Sequence, residues 1–253
     1  MKVATLISDW GWEDVSLGIL KGKFFAQLPD CRVIDLTHGV ELQSSVQTAF
    51  MLEHVYSNFP VGTVHLALTS VSCWSTEKPL LLQKDGFYFI GIDDGTFSMM
   101  FEGEVLSIRR YVGTEASTLD MMVNLVSACM NGNWESVTEP ANDIVRSFML
   151  RACYTEEPCH ISGHVVYIDK HNNVVTNIPA TMFQQAMAQH PRIACSLSTY
   201  RINKYHAKYE SDFVPYFVPN AIGVIEIVMY GGRVRMLSPW QQEVNVEIDF
   251  KSK

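Results

Sequence analysis

The sequence has few basic residues, no long apolar run and no closely paired cysteines, and each absence excludes a class of protein. Lys and Arg number 19 against 27 Asp and Glu, and the resulting net charge of −8 disfavours a surface for nucleic acid or anionic membrane. No apolar stretch approaches the ~20 residues that cross a bilayer. The N-terminal apolar run ends at Asp9, too soon for a signal peptide. We therefore expect a cytoplasmic protein without nucleic-acid or membrane partners.

The six cysteines are scattered along the chain, and none of them forms a Cys-x-x-Cys pair. Their spacing, taken with the histidines, fits no common zinc pattern. In a reducing compartment such cysteines are most simply buried thiols. We predict no bound metal.

The first part of the chain alternates between short apolar strands and segments with helical spacing of apolar residues. Strands are predicted at 3–7, 31–36 and 64–68, and helices at 15–27, 46–55 and 119–130. Residues 80–83 and 87–90 flank an Asp-Gly turn and are predicted to form a hairpin, and residues 93–95 are predicted to cap a short helix. Repeated strand-helix units are typical of a parallel sheet covered by helices. The sequence therefore predicts an α/β N-terminal domain with a mostly parallel sheet over residues 1–135.

The rest of the chain has a different pattern. Residues 136–158 contain few periodic apolar positions and include Pro140, so they are predicted to be a linker. Beyond the linker, strands are predicted at 163–169, 192–197, 221–230 and 233–237, with little helix between them. This pattern predicts a small all-β, barrel-like C-terminal domain over residues 159–253.

Two carboxylates lie in the loop that follows the first strand, Asp9 and Asp14. In open α/β sheets, ligands bind outside the carboxyl ends of the strands. A carboxylate at such a place is suited to accept hydrogen bonds from sugar hydroxyls. The loop alone leaves another interpretation open, in which Asp14 is a helix N-cap and Asp9 closes a turn.

Five sequence blocks resemble, in order and spacing, the S-adenosyl-L-methionine (SAM) hydroxide adenosyltransferase family, whose relatives include fluorinating and chlorinating enzymes. The blocks are residues 8–14, 33–38, 59–65, 91–95 and 168–178. Five blocks in register are far more specific than one. The resemblance implies an N-terminal α/β domain, a C-terminal β-barrel and a homotrimer that binds SAM at subunit boundaries.

The resemblance also implies roles for four residues in binding SAM or another adenosine-containing molecule. Asp9 would accept both ribose hydroxyls, and Asn173 would bind the edge of the adenine. Ser16 and Asp169 would hold the methionine amine, with Asp169 as the ion-pair partner. No cofactor is implied, because SAM itself is the substrate or ligand.

The sequence departs from the family where the hydrolytic members carry an Asp, an Arg and a His that handle water. These positions are occupied here by Ser70, Glu77 and Ser117. The halogenating branch also lacks that triad and surrounds its halide with hydroxyl groups, so Thr118 and Ser70 are the candidate catalytic residues. Arg233 is a candidate for the methionine-carboxylate clamp near the last hairpin.

Three functions fit this pattern. The first is an adenosyltransferase-like enzyme that cleaves SAM at ribose C5′ to methionine and adenosine, or to a 5′-substituted deoxyadenosine. The second is a catalytically degenerate module that binds SAM or a nucleoside as a sensor or regulatory trimer, which the loss of the triad would favour. The third is a structural oligomer that has lost its binding site.

Overall fold

A computed structural model of the chain describes residues 2–72, 74–104, 107–197, 200–232, 234 and 244–251. The chain forms two compact units, Met1–Met149 and Leu150–Lys253. Cys73, Arg233 and most of the predicted strand 233–237 lie outside the described residues. None of the helices in the described ranges has the length and apolar character needed to span a bilayer.

The first unit is built on a mixed seven-stranded sheet. Its strands are β1 (Lys2–Ile7), β2 (Cys31–Thr37), β3 (Val64–Ala67), β4 (Leu80–Lys84), β5 (Phe87–Gly91), β6 (Ile108–Tyr111) and β7 (Thr138–Pro140). They lie in the order β2-β1-β3-β5-β4-β6-β7. β1 pairs in parallel with β2 and β3, and β3 with β5.

The prediction of a mostly parallel sheet is wrong, because β4, β6 and β7 are all paired antiparallel. The cause is the two-residue turn between β4 and β5. Asp85 and Gly86 have φ angles of 52° and 81°, as in the turns that connect tight hairpins. This turn reverses the chain, and β6 then pairs with the free edge of β4.

The helices of the first unit begin and end close to their predicted positions. They are α1 (Ser16–Gln27), α2 (Ser45–Val55), α3 (Thr96–Met100) and α4 (Thr118–Asn131). α1 and α4 bury Leu20, Phe24 and Met122 in one core with Leu6 and Leu66 of the sheet. Strands covered by helices on both faces are buried along their length, and β1 after Lys2 and all of β3 are buried in this way.

The second unit is an antiparallel, nearly closed, barrel-like sheet, as the sequence predicted. Its strands are β8 (Cys153–Thr155), β9 (His160–Ile168), β10 (Val174–Pro179), β11 (Arg192–Leu197), β12 (Tyr200–Ile202), β13 (Tyr216–Pro219), β14 (Val224–Val228) and β15 (Asn245–Lys251). They lie in the order β12-β11-β15-β9-β10-β14-β13, with β8 beside β9. Residues 136–158, predicted as a linker, contain β7 and β8.

One helix of the second unit, α5 (Ala180–Gln189), is not predicted from the sequence. Its Phe183 and Ala186 are fully buried in the core of the unit. Ala and Gln make this segment less apolar on average than α1, α2 and α4, so it does not stand out among the strands of this half of the chain.

His65 is a buried titratable group in the core of the first unit. Its Nδ1 lies 2.7 Å from Thr5 Oγ1, and its ring stacks on Phe89 with 5.2 Å between centroids. The side chain has no exposed surface. Burial lowers the pKa of His65 to about 4, so the imidazole is neutral in the folded protein.

This burial predicts an acid-sensitive fold. An unfolded His titrates near pH 6.5, so between about pH 6.5 and about pH 4 the unfolded chain binds one proton more than the folded chain. The free energy of unfolding should be highest above this window and fall by up to about 3 kcal/mol as the pH is lowered through it. Urea unfolding at about pH 7.5 and about pH 4.5 measures the loss. The loss should be smaller in His65→Phe, and equal losses in both proteins would contradict the prediction.

Candidate functional site

The carboxyl ends of three parallel strands meet at Asp9, which follows β1. Asp9 Oδ2 accepts hydrogen bonds from the backbone N–H of Gln43, 2.8 Å away in the loop after β2, and of Ser70, 3.2 Å away after β3. Gln43 and Ser70 have φ angles of 59° and 61°, which non-glycine residues rarely adopt. One carboxylate therefore joins three loops and stabilises two unusual backbone conformations.

The second oxygen of Asp9 points to a binding role. Among the described residues, Oδ1 of Asp9 has no hydrogen-bond partner, since both backbone donors bind Oδ2. Gly11, two residues further on, has a φ of 71° and donates its N–H to the carbonyl of His38. Hydrogen bonds thus hold the backbone around Asp9, and Oδ1 of Asp9 can still accept a hydrogen bond.

Asp14 is not the N-cap of α1, which is Val15, but it lies one residue earlier and closes a local turn. Its Oδ1 accepts the backbone N–H of Ser16 at 2.7 Å, at the start of α1. Hydrogen bonds from the Ser16 hydroxyl and N–H hold the pKa of Asp14 below its ordinary value. Ser16 itself is buried and bonded to Asp14.

Thr118 lies buried at the first residue of α4. Its hydroxyl donates to the carbonyl oxygen of Glu77 at 2.7 Å, and its N–H donates to the carbonyl oxygen of Ser75 at 2.8 Å. These bonds fix the loop after β3 to the start of α4. Because the hydroxyl hydrogen of Thr118 is already donated, only its oxygen lone pairs remain for another group.

Ser117 and Glu77, two of the three positions where hydrolytic relatives carry water-handling residues, make ordinary structural contacts. Ser117 is the N-cap of α4: its Oγ accepts the N–H of Asp120 at 3.2 Å and donates to Asp120 Oδ2 at 2.7 Å. The side chain of Glu77 is exposed, and its contribution to the loop is the carbonyl that binds Thr118. Ser70 is half-buried beside Asp9.

The second unit places Asp169 and Asn173 in one loop, between β9 and β10. Asp169 Oδ1 accepts the N–H of His171 and of Asn173, both at 2.8 Å, and Oδ2 accepts the side-chain amide of Asn173 at 3.0 Å. Asn172 is in the left-handed conformation, with a φ of 61°. Asp169 therefore shapes the loop and orients the side chain of Asn173.

Both residues line a cavity of about 780 Å³ in the second unit. Its wall also includes three tyrosines and a further acid: Tyr209, Tyr216, Tyr230 and Glu210. Carboxylates and aromatic rings together favour a cationic ligand. Asp169 and Asn173, chosen from the sequence, are thus brought together at one surface.

Glu226, which was not predicted from the sequence, supports one wall of this cavity. It is buried, and its carboxylate accepts hydrogen bonds from the Tyr209 hydroxyl at 2.6 Å and from Asn220 Nδ2 at 2.7 Å. Burial and the Glu226 carboxylate raise the pKa of the Tyr209 hydroxyl. A charged residue inside the otherwise apolar strand β14 is the sequence signal that could have identified it.

Within the described ranges, no group of three or more His, Cys, Asp and Glu side chains is placed to hold a metal ion. The cysteines at 31, 129, 153, 159 and 195 are free thiols, and only Cys153 is exposed among them.

Two domain families match this chain. The SAM hydroxide adenosyltransferase N-terminal domain matches residues 4–133, and the SAM hydroxide adenosyltransferase C-terminal domain matches residues 163–247. An (R)-S-adenosyl-L-methionine hydrolase from Methanocaldococcus jannaschii is 27% identical over 117 residues, which are 44% of this chain and 43% of that protein. The match therefore spans less than half the length of that relative.

Two solved structures have the same fold over nearly their whole length. An uncharacterized conserved protein from Thermotoga maritima superposes with a TM-score of 0.82 and 20% identity, covering 98% of this chain and 99% of that one. A conserved hypothetical protein from Thermus thermophilus has a TM-score of 0.69 and 17% identity, covering 99% and 100%. At these identities the likeness shows the fold alone.

The capping geometry predicts that Ser117 stabilises the fold. Ser117→Ala removes the acceptor for the Asp120 N–H and should lower the free energy of unfolding by about 1 kcal/mol. Ser117→Asn, which keeps a capping oxygen, should lose much less. Urea unfolding of the three proteins measures both values. Equal stability of Ser117→Ala and the parent protein would contradict the capping role.

Proposed function

The chain belongs to the SAM hydroxide adenosyltransferase family, and from that premise we propose that it binds SAM and cleaves it at ribose C5′. The products are methionine and adenosine, or a 5′-substituted deoxyadenosine. The observation that carries the proposal is the Asp9 carboxylate, with Oδ2 fixed by two backbone N–H groups and Oδ1 open. A carboxylate fixed in this way suits the ribose diol, whose hydroxyls are donors.

The binding roles proposed for the second unit follow from its acidic, tyrosine-lined cavity. Asp169 supplies the negative charge for the methionine amine, and Asn173, oriented by its bond to Asp169, supplies an amide for the adenine edge. Ser16 adds a hydroxyl for the amine. We further propose a homotrimer in the cytoplasm, in which more than one subunit contributes to each site.

Cleavage of SAM at C5′ depends more on the position of the nucleophile than on acid catalysis. A sulfonium leaves as a neutral thioether, so the protein has to hold a small nucleophile in line behind C5′ and exclude bulk water. Ser70 and Thr118 are the hydroxyl residues proposed to contact that nucleophile. Because Thr118 already donates its hydrogen to Glu77, its oxygen can only accept, which suits water and not a halide anion. Hydrolysis to adenosine is therefore the favoured reaction.

The second candidate function is a catalytically degenerate module that binds SAM or a nucleoside as a sensor. The surroundings of Glu77 and Ser117 favour it, since Ser117 caps a helix and the Glu77 side chain is exposed. In that function the Asp9 and Asp169 contacts are retained and no bond is broken.

Calorimetric titration with SAM and with adenosine tests the binding. We expect Asp9→Asn to weaken both affinities by about tenfold or more, because one carboxylate oxygen becomes an amide donor that cannot accept from the ribose. Asp85→Asn is the matched control: it makes the same change in an exposed left-handed turn of the first unit that Asn tolerates, and it should leave both affinities unchanged.

A second measurement distinguishes the two functions. The same samples are incubated in ¹⁸O-labelled water, the products are separated by chromatography, and the mass of the adenosyl product is measured. Release of methionine with labelled adenosine establishes hydrolysis. Release of methionine with another adenosyl product points to a different nucleophile. Binding without methionine release favours the sensor module, and failure of the parent protein to bind either ligand contradicts the roles of Asp9 and Asp169.

A further inference from the structure

The turn that carries Asp9 is closed by the side chain of its neighbour, Ser8. The hydroxyl of Ser8 accepts the backbone N–H of Trp10 at 3.3 Å, so the bond spans Asp9. The same hydroxyl lies 2.7 Å from Nδ1 of His38, which follows β2. Ser8 and His38 are both completely buried. Neither side chain is accessible to a ligand. Together they hold the backbone turn from which the side chain of Asp9 projects.

The contact made by the second ring nitrogen of His38, Nε2, determines which nitrogen carries the proton. Nε2 of His38 lies 3.2 Å from Asp35 Oδ1, and Asp35 Oδ2 accepts Lys21 Nζ at 2.6 Å. A carboxylate on this side of the ring favours the tautomer with the proton on Nε2. Nδ1 then accepts the Ser8 hydroxyl, and the Ser8 oxygen accepts from Trp10.

The neutral imidazole is essential to this arrangement. Burial lowers the pKa of His38, against the opposing effect of Asp35 and in the same sense as the charge of Lys21. A proton on Nδ1 would compete with the Ser8 hydroxyl hydrogen for one position. Asp35 and Lys21 are the charged groups that face the ring, and Trp12 packs its ring edge-on at 4.8 Å.

The backbone of His38 holds the same turn. The carbonyl of His38 accepts the N–H of Gly11 at 2.7 Å, and the N–H of Ser8 donates to the carbonyl of Thr37 at 3.0 Å. Side-chain and backbone contacts of one residue thus reach both ends of the turn around Asp9. Only the side-chain contact can be removed by substitution without disturbing the backbone pairing.

We propose that His38 is a positioning residue for SAM binding. By accepting the Ser8 hydroxyl, it closes the turn that directs Oδ1 of Asp9 toward the ribose, and it does not touch the substrate. This inference rests on the proposed binding of SAM, but the effect on the turn is independent of any ligand.

The chain contains a matched control for this interaction. Thr5, on the strand that leads into Ser8, also has a buried hydroxyl 2.7 Å from the Nδ1 of a buried histidine, His65. That pair lies in the aromatic core, where the imidazole stacks on Phe89. Thr5→Val and His38→Leu therefore each remove one buried hydroxyl-imidazole hydrogen bond, and only the second affects the turn. Ser8→Ala removes the acceptor of the Trp10 N–H as well and shows the effect of losing the whole turn contact.

The experiment compares four variants by calorimetric titration with SAM and by amide hydrogen exchange. Ser8→Ala and His38→Leu should weaken SAM binding by about tenfold, as expected for loss of one orienting hydrogen bond. Thr5→Val should not weaken it. His38→Asn should recover most of the affinity, since the side-chain oxygen of Asn can accept the Ser8 hydroxyl near the position of Nδ1.

Amide exchange distinguishes failure of the inference from failure of the proposed function. His38→Leu should accelerate exchange at Trp10, Gln43 and Ser70, whose N–H groups are bonded at this turn, and Thr5→Val should not. If the parent protein does not bind SAM, the proposed function fails and these amides alone decide the positioning role. Equal effects of His38→Leu and Thr5→Val on affinity or on these amides would overturn the inference.

Discussion

The first unit depends on one carboxylate that accepts two backbone N–H groups. A loop at the end of a strand has polar groups that neither sheet nor helix satisfies. Asp9 Oδ2 satisfies one such N–H in each of the loops after β2 and β3, at Gln43 and Ser70. Both of these residues are in the left-handed region, so the loops adopt this course only with the bonds in place. The proposed binding surface and the order of the loops therefore both depend on the Asp9 carboxylate.

Asp169 has a similar structural role in the second unit. Asp169 also accepts backbone N–H groups of a tight loop, and the loop contains a left-handed residue, Asn172. Here the carboxylate is more fully used, with Oδ2 bonded to the amide of Asn173. The remaining negative charge, with buried Glu226 behind Tyr209, is the basis for the proposed binding of a cationic group in this cavity. In both units an Asp shapes a loop, and it is the same Asp that we propose to contact the ligand.

The sequence predicted the local elements well and the sheet less well. α1, α2 and α4 were found because their apolar residues recur at helical spacing, and the α/β and all-β halves were separated correctly. The hairpin of β4 and β5 follows from the Asp85-Gly86 turn, but the antiparallel pairing of β6 and β7 does not, because strand patterns are the same in parallel and antiparallel pairs. α5 is not predicted because its segment is less apolar on average than the other helices. Asp9, Asp169 and Asn173 came from resemblance and spacing, while Glu226 and the Ser8-His38 pair did not, since their partners are distant in sequence.

The sequence by itself determined which residues are apolar, where helices begin, which loops carry acids, and that the blocks belong to one family. Those properties are local, or are carried by residue type and spacing. The tertiary structure alone decided which groups use their hydrogen-bonding capacity inside the protein. Thr118 has its hydroxyl donated, Ser117 caps a helix and His38 lies behind the binding loop, while Asp9 keeps one oxygen free. A side chain's availability to a ligand depends on what the fold has already bonded to it, and those partners lie far away along the chain, as Ser70 lies 61 residues from Asp9.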